Sequence, residues 1–211
     1  MDGLFITFEG VDGTGKGTQI QLLQQQLQQC NISTVCTREP GGTPFGDEIR
    51  AHLLSNQSEI DPVTEVYLFA LSRGRHVREV IRPGLQSGKV VLCDRYLDSS
   101  VAYQGYGREV GEQAVLEANR LAVDGVMPDI TFLFDTDIAL SLSRLSTERD
   151  RIEASGSEFF QRVRQGYLAC ASKNTARIVL VDASLPIADI QRIIWKIIKD
   201  RLHFSCLASN I

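Results

Sequence analysis

The stretch that decides the fold follows the first apolar run and reads Gly10-Val11-Asp12-Gly13-Thr14-Gly15-Lys16. Glycines at this spacing let backbone N–H groups approach an anion closely, and the lysine after them reaches the outer phosphates of a nucleotide. The run Leu4–Phe8 before the stretch is typical of a strand. The pattern after it is helical, so the phosphates would meet a helix N-terminus, which favours negative charge. We therefore interpret the stretch as a P-loop and not as a chance glycine-rich turn.

The residue after the lysine departs from the usual P-loop. Gly17 stands where a Ser or Thr hydroxyl normally binds Mg²⁺, and Thr18 follows it. The segment Gly15–Gln19 is similar to the loop of adenylate kinases, in which Mg²⁺ is held mainly by the nucleotide's phosphates and water. Because Mg²⁺ commonly keeps several of its waters, we expect it to remain the cofactor. Thr18 is expected to bond a phosphate directly.

Four more apolar runs resemble buried strands: Ser33–Thr37, Val90–Cys93, Ile130–Phe134 and Ile178–Val181. They alternate little, as strands covered on both faces do. Helical stripes lie between or after them, formed by Ile20, Leu23 and Leu27, by Val66, Ala70, Val77 and Val80, and by Ile187, Ile190, Ile194, Ile197 and Ile198. This order predicts an α/β fold with a five-stranded parallel sheet flanked by helices, built by residues 1–211 as one domain. The helical pattern ends near His203, so residues 203–211 are predicted to form a loose tail.

Composition excludes several classes of protein. The formal net charge of −4 argues against a nucleic-acid binder, whose binding face should be basic. No run approaches the roughly 20 apolar residues of a membrane span, and the N-terminus lacks the pattern of a secretory signal. The 5 cysteines are scattered, without a C-x-x-C pair, which is typical of reduced thiols in a cytoplasmic protein. An acidic chain that binds phosphates must gather its cations at the site.

Three further segments carry a family resemblance: Arg38-Glu39-Pro40-Gly41-Gly42-Thr43, the stretch Asp94-Arg95-Tyr96-Leu97-Asp98-Ser99-Ser100-Val101-Ala102-Tyr103-Gln104, and Asp150-Arg151-Ile152-Glu153. Together with the P-loop they resemble thymidylate kinases, from about Leu4 to Leu202. The resemblance implies the P-loop NTPase fold of nucleoside monophosphate kinases, with a short lid at about residues 143–156. It also implies ATP binding by residues 10–18, transfer of the γ-phosphoryl group to dTMP, and a homodimer formed through apolar helix faces after the second and third strands.

Arg95 follows an inferred parallel strand, at the edge where open α/β sheets bind ligands. Its guanidinium can grip a monophosphate bidentately. The alternative is a structural ion pair with Asp94 or a neighbour. Asp94 can face Mg²⁺ through water, or it can simply orient Arg95.

The candidate base pocket begins with Phe69 and Arg73, which lie four residues apart on one helical face. The resemblance implies that Phe69 stacks on thymine while Arg73 donates to its O4 atom. For Phe69 taken alone, core packing is the better interpretation. Arg73 beside it shifts the balance toward a binding site, because a guanidinium on a buried stripe needs a partner. Other expected contacts are Ser100 and Gln104 near the base, Tyr103 under the sugar, Asp12 at the 3′-hydroxyl, Arg38 and Arg50 for the substrate, and Glu9 for Mg²⁺ or loop support. Asp12 can equally be a loop-capping carboxylate.

The charged run from Arg144 to Glu153 has two interpretations. Such a run usually marks a solvated helix face. Thymidylate kinases, however, place a catalytic arginine either in the P-loop or in a mobile lid, and Gly13 implies the lid arrangement. Arg151 is the first choice for this role and Arg149 the second. With Lys16, Arg38, Arg50, Arg73 and Arg95, these arginines would give an acidic chain its anion site.

Three alternatives to this function remain open. A kinase with an adenylate- or uridylate-type acceptor is favoured slightly by Gly17-Thr18 and opposed by the segments between Arg38 and Gln104. A regulatory GTP-binding switch would need the guanine-reading motif N-K-x-D, which does not appear. A binding module without catalysis is opposed by Lys16 together with the candidate arginines.

Overall fold

The computed structural model describes residues 3–144 and 148–202, and within them five parallel strands form one sheet. The strand order is β2-β3-β1-β4-β5. The strands are β1 (Leu4–Glu9), β2 (Thr34–Arg38), β3 (Val90–Asp94), β4 (Ile130–Asp135) and β5 (Ile178–Asp182). The predicted fold class and all five predicted strands are confirmed. Each strand ends one residue later than predicted, on a charged residue. The reason is that hydrogen bonding between the strands continues for one residue beyond the end of each apolar run.

Nine helices surround this sheet in the described part of the chain. They are α1 (Lys16–Gln29), α2 (Pro44–Leu54), α3 (Pro62–His76), α4 (Arg82–Gln86), α5 (Leu97–Ser100), α6 (Glu112–Val123), α7 (Ile138–Ser143), α8 (Ser157–Lys173) and α9 (Ile187–Arg201). A π-helical turn, Val77–Ile81, joins α3 to α4, and a second, Val101–Gly107, extends α5. A 3₁₀ turn, Glu153–Ser155, precedes α8.

Both faces of the sheet are covered by apolar side chains. Ile6 and Phe8 of β1 belong to one core cluster, which includes Leu23 of α1 and Ile194 of α9. Phe5 points the other way, into a second cluster. Each fully buried side chain of this size contributes about 1.5–3 kcal/mol to folding. This coverage explains the nearly continuous apolar runs in the sequence.

The residues at the centres of the predicted helical stripes are buried as expected, whereas two residues at the ends of stripes are not fully buried. Ile187 begins α9 beside the P-loop and is 56 % exposed, whereas Ile190, Ile194 and Ile198 are buried. Val80 is only half-buried because the backbone turns from α- to π-helix after His76, which changes the 3.6-residue period. The predicted tail lies outside the described residues.

Capped helices carry side chains to the carboxyl edge of the sheet. Thr43 accepts a hydrogen bond from Gly46 N at the start of α2, and Asp61 accepts from Val63 N and Thr64 N at the start of α3. Proline occupies the first position of both helices, where no N–H is needed. No helix in the residues described above is both long and apolar enough to cross a membrane.

Candidate active site

The P-loop curls over the carboxyl end of β1 through three glycines with positive φ. These are Gly10 (133°), Gly13 (81°) and Gly15 (88°). A Cβ atom on Gly10 would lie 2.4 Å from the Phe134 carbonyl oxygen, and one on Gly13 would lie 2.2 Å from that of Ser141. Both positions therefore require glycine. The loop leads directly into Lys16, the first residue of α1.

Lys16 closes the loop on itself. Its Nζ donates to the carbonyl oxygens of Gly10 (3.1 Å) and Val11 (2.9 Å). Burial and the nearby charge of Arg95 lower the pKa of Lys16 to about 8, although neighbouring carboxylates, Asp12 foremost, oppose the shift. The side chain thus remains mostly cationic at neutral pH, at the position where the outer phosphates are expected.

Arg95 stands immediately after β3 in a left-handed conformation, with φ 70°. This conformation is uncommon for a residue with a Cβ atom, and such strain is often found at functional sites. Its Nη2 donates to Asp12 Oδ1 (2.6 Å) and to the Tyr103 hydroxyl (3.0 Å), while Nη1 donates to the Tyr167 hydroxyl (2.8 Å). The ion pair considered from the sequence therefore exists, with Asp12 and not Asp94 as the partner.

Asp12 links the P-loop to Arg95. The Tyr103 hydroxyl also donates to it, at 3.0 Å from Oδ2. Burial alone would raise the pKa of Asp12, but the charges of Arg95 and Lys16 and these hydrogen bonds lower it to about 2. The carboxylate is therefore an acceptor at all physiological pH values, and it reaches across the site instead of capping its own loop.

A cavity of about 470 Å³, partly open to solvent, lies beside this pair. Six predicted residues line it: Asp12, Arg50, Phe69, Arg95, Tyr103 and Gln104. Six others were not predicted: Glu39, Pro40, Leu54, Ser99, Asp150 and Ile152. Leu54 had no signal in the sequence, because it is an ordinary apolar residue that the tertiary fold brings to the cavity. The other five lie in the three segments quoted for the family resemblance, but the sequence assigned them no role.

Gln104 is fully buried in the cavity wall. Its Nε2 donates to Glu65 Oε1 at 2.8 Å. Its Oε1 accepts no hydrogen bond from any described residue. The uncommitted end of this amide is therefore an acceptor.

Arg73 and Ser100 lie behind the cavity wall and do not line it. Arg73 is 1 % exposed, and its Nε donates to Glu39 Oε2 at 2.7 Å. Its Nη2 donates to the Ser100 hydroxyl at 3.0 Å and to the Tyr96 carbonyl at 3.1 Å, and Nη1 donates to Asn119. This placement does not favour the expected contact between Arg73 and a base, because the guanidinium already donates to acceptors within the protein.

Two carboxylates were considered for Mg²⁺. Asp94 Oδ1 is buried and accepts no hydrogen bond from the described residues, so it fits a water-mediated contact to the metal. Glu9 accepts from Tyr96 N (2.7 Å), from the Ser99 hydroxyl and from the Tyr167 hydroxyl (3.2 Å), which gives it a supporting role. Burial, with the nearby charge of Asp98, raises the pKa of Glu9 to about 7. Across residues 3–144 and 148–202, no cluster of three or more acidic, His or Cys side chains forms a metal cage.

The other two predicted substrate arginines occupy different places. Arg50 lines the cavity, and its Nη1 donates to the Pro40 carbonyl at 3.0 Å. Arg38 is exposed, 4.0 Å from Asp47, in a neighbouring groove that also includes Gly17 and Asp94. Arg38 therefore lies at the side of the P-loop and not in the cavity.

The described part of the predicted lid separates its two arginines. Arg151 is anchored: Nη2 donates to Glu65 Oε2 at 2.7 Å and Nε to the Leu53 carbonyl at 2.8 Å. Arg149 has an exposed side chain. Residues 145–147 of the predicted lid lie outside the described residues. The sequence ranked Arg151 above Arg149 as the catalytic arginine. The geometry does not favour that ranking, because Arg151 is already paired with the buried carboxylate of Glu65.

A separate depression borders the P-loop at Gly13, Thr14 and Gly15. Arg144 crosses it, with Nη1 at 3.4 Å from the carbonyl oxygens of both Gly13 and Ala183. Leu185 and Ile187 supply exposed apolar surface beside it. A guanidinium next to apolar side chains can pack against a planar ring. These three residues are therefore candidates for binding the adenine ring of the expected ATP. The sequence contained two signals for them: Arg144 begins the charged run, and Ile187 extends the α9 stripe beyond its buried part.

The sheet order, the P-loop after β1 and the adjoining arginine-lined cavity define the class of P-loop nucleoside monophosphate kinases, which are phosphotransferases. The family model described as thymidylate kinase matches residues 8–194. Similar proteins named thymidylate kinase come from Leifsonia xyli (49 % identity, 89 % of this chain and 90 % of the relative) and Bifidobacterium longum (44 % identity, 95 % and 99 %). The crystal structure of thymidylate kinase from Ehrlichia chaffeensis superimposes with a TM-score of 0.77 at 34 % identity, covering 94 % of this chain and 99 % of that one. The chain belongs to the thymidylate kinase family.

Proposed function

We propose that the protein transfers the γ-phosphoryl group of ATP to dTMP, which yields dTDP and ADP. One observation carries the proposal beyond family membership: Asp12 of the P-loop is bonded to both Arg95 and Tyr103, which line the cavity. A donor bound by the loop and an acceptor bound in the cavity would therefore meet at this point. Phosphoryl transfer depends chiefly on such alignment and on charge neutralisation.

Different cationic side chains bind the two substrates. Lys16 and the backbone of residues 10–18 neutralise and hold the phosphates of ATP, with Thr18 at the exposed start of α1. Arg95 and Arg50 hold the monophosphate, since both line the cavity. Arg38 adds positive charge at the rim.

The nucleoside is held by the remaining wall. Phe69 lines the cavity and offers a ring face to the base. Gln104 offers an acceptor oxygen, which matches the N3–H group of thymine. Tyr103 packs under the sugar, and Asp12 accepts from the 3′-hydroxyl. Arg73 and Ser100 support this wall from behind.

Bound Mg²⁺ would neutralise charge on the transferring phosphates, held by ATP and by water. Asp94 is the residue that fits it, through its uncommitted Oδ1 atom. Glu9 would keep the Tyr96 backbone and the Ser99 hydroxyl in place. Among the lid arginines, Arg149 is the better candidate for the catalytic cation, because the side chain of Arg151 is occupied by Glu65.

We further propose that residues 1–211 work as one kinase domain with a lid at about residues 143–156, and that two copies form a homodimer in the cytoplasm. The dimer is supported by an exposed apolar stripe on α3, formed by Val63, Tyr67 (61 % exposed) and Leu71, with Phe45 of α2 nearby. Their spacing of four residues puts them on one helix face, which a two-fold axis can bury against itself. Replacing Tyr67 with Glu should shift sedimentation toward the monomer.

A coupled ADP-release assay over dTMP, dUMP, dCMP, AMP and UMP tests the proposed reaction. We expect dTMP to have the highest kcat/KM. A preference for AMP or UMP would instead favour the adenylate- or uridylate-type acceptor. ADP release that no monophosphate stimulates would contradict both.

A further inference from the structure

Glu65 is a fully buried carboxylate in the first turn of α3, and none of the roles above includes it. Three side chains donate to it. Gln104 Nε2 lies 2.8 Å from Oε1, Arg108 Nε lies 3.4 Å from the same oxygen, and Arg151 Nη2 lies 2.7 Å from Oε2. Glu65 thus joins a residue of the cavity wall to the anchored lid arginine.

We propose that Glu65 is a positioning residue that fixes the polarity of the Gln104 amide, and thereby makes the cavity select pyrimidines that carry a hydrogen on N3. The inference rests on the proposed function, because it assumes that Gln104 faces the base. It concerns how that cavity distinguishes thymine from cytosine.

The chemistry of the donors and acceptors carries the argument. An ionised carboxylate only accepts hydrogen bonds, so the end of the Gln104 amide that faces Glu65 must be the NH₂ group. The amide oxygen is then the only end left for a ligand. Thymine and uracil present N3–H to this oxygen, whereas cytosine presents a lone pair, which leaves both acceptors unpaired and costs binding.

Arg151 gives the carboxylate a second constraint. Its guanidinium only donates, so whichever side chain replaces Glu65 must keep an acceptor toward Arg151. In a Glu65→Gln variant the new amide oxygen would stay on Arg151, because that contact, at 2.7 Å, is much shorter than the 3.4 Å contact of Arg108 Nε with the other oxygen. The new NH₂ group would then face Gln104. Gln104 would then turn its own oxygen toward that NH₂ group and present a donor to the base.

The test compares kcat/KM for dTMP and dCMP in wild type, Glu65→Gln and Glu65→Asp. We expect the dTMP/dCMP ratio to fall at least about tenfold in Glu65→Gln, from loss of the N3–H match. Aspartate still only accepts, so Glu65→Asp should keep the wild-type ratio even where the shorter side chain slows both reactions. The matched control is Glu79→Gln, an exposed glutamate paired with Arg75, which should change neither rate.

Equal losses for both substrates in Glu65→Gln, or a collapsed ratio in Glu65→Asp, would overturn the inference. Absence of dTMP turnover in the wild type would instead contradict the proposed function, so the two failures are distinguishable. If Glu65→Gln does not fold, amide exchange in the wild type decides: the Gln104 Nε2 proton on Glu65 should exchange slowly with and without dTMP. Rapid exchange, or loss of protection when dTMP binds, would refute the proposal.

Discussion

Replacing Arg151 with alanine should cost the protein stability more than it costs the chemical step. Removing one partner of a fully buried ion pair destabilises by about 3–5 kcal/mol. The Arg151 side chain is 14 % exposed, and Glu65 would retain Gln104 and Arg108, so the expected loss is about 2 kcal/mol. For a chain of this size each kcal/mol lowers Tm by about 2–4 °C, which gives a decrease of about 4–8 °C.

Arg149→Ala should behave in the opposite way. Its side chain is exposed, so Tm should hardly change. If its guanidinium neutralises charge that develops during transfer, kcat should fall by about 10²–10³-fold, while KM for dTMP moves little. Lysine at this position should restore only part of kcat, because it lacks the planar fork of the guanidinium.

Thermal unfolding and steady-state kinetics on both variants separate the two roles. Arg192→Ala, which removes an exposed arginine of α9, is the control for loss of one surface charge. A large fall in kcat for Arg151→Ala at unchanged Tm would refute this reasoning and return the catalytic role to Arg151. Normal kcat in both lid variants would mean that the catalytic cation comes from elsewhere.

Three further predictions concern the acceptor and Lys16. dUMP should be poorer than dTMP by about 10–200-fold in kcat/KM, because one methyl group is lost from an apolar contact with Phe69; equal values for the two would contradict that contact. Lys16→Met should abolish most of kcat without lowering Tm, because the buried charge of Lys16 destabilises the folded protein at neutral pH. The kinetic assay measures the loss of kcat, and calorimetry measures Tm. The value of kcat/KM for ATP should fall as pH rises through about 8, because the lowered pKa of Lys16 makes it lose its proton there in the unliganded enzyme; a flat profile from pH 7 to 9.5 would argue against this role.

The sheet was predictable because its signal is local. Burial on both faces leaves apolar runs, and a glycine-rich loop after the first run identifies the class of fold. Only the strand ends were displaced, since charged residues such as Glu9 and Asp94 still bond in the ladder while their side chains enter the site. The exposure of Ile187 could not be predicted from period alone, because an apolar stripe does not reveal where its packing partner ends.

The candidate site was predictable in part. Asp12, Arg95, Tyr103 and Gln104 lie in motifs with fixed spacing, and the structure brings them to one cavity. Arg73 and Arg151 look like other arginines in the sequence, and only the tertiary fold shows that buried Glu39 and Glu65 hold them. Glu65 itself gave no signal, because a glutamate in the first turn of a helix is commonplace.

The pairing of Arg95 with Asp12 also affects the distance over which the site attracts anions. Arg95, Arg73 and Arg151 each carry a carboxylate partner within 2.7 Å, in a chain whose formal charge is −4. Opposite charges this close cancel beyond about one Debye length, roughly 8 Å at physiological salt. These three pairs therefore add little long-range attraction for cellular anions, and Arg95 binds a phosphate only once the phosphate is near enough to compete with Asp12 for its guanidinium. Shape and hydrogen-bond geometry, and not bulk attraction, decide which anion stays.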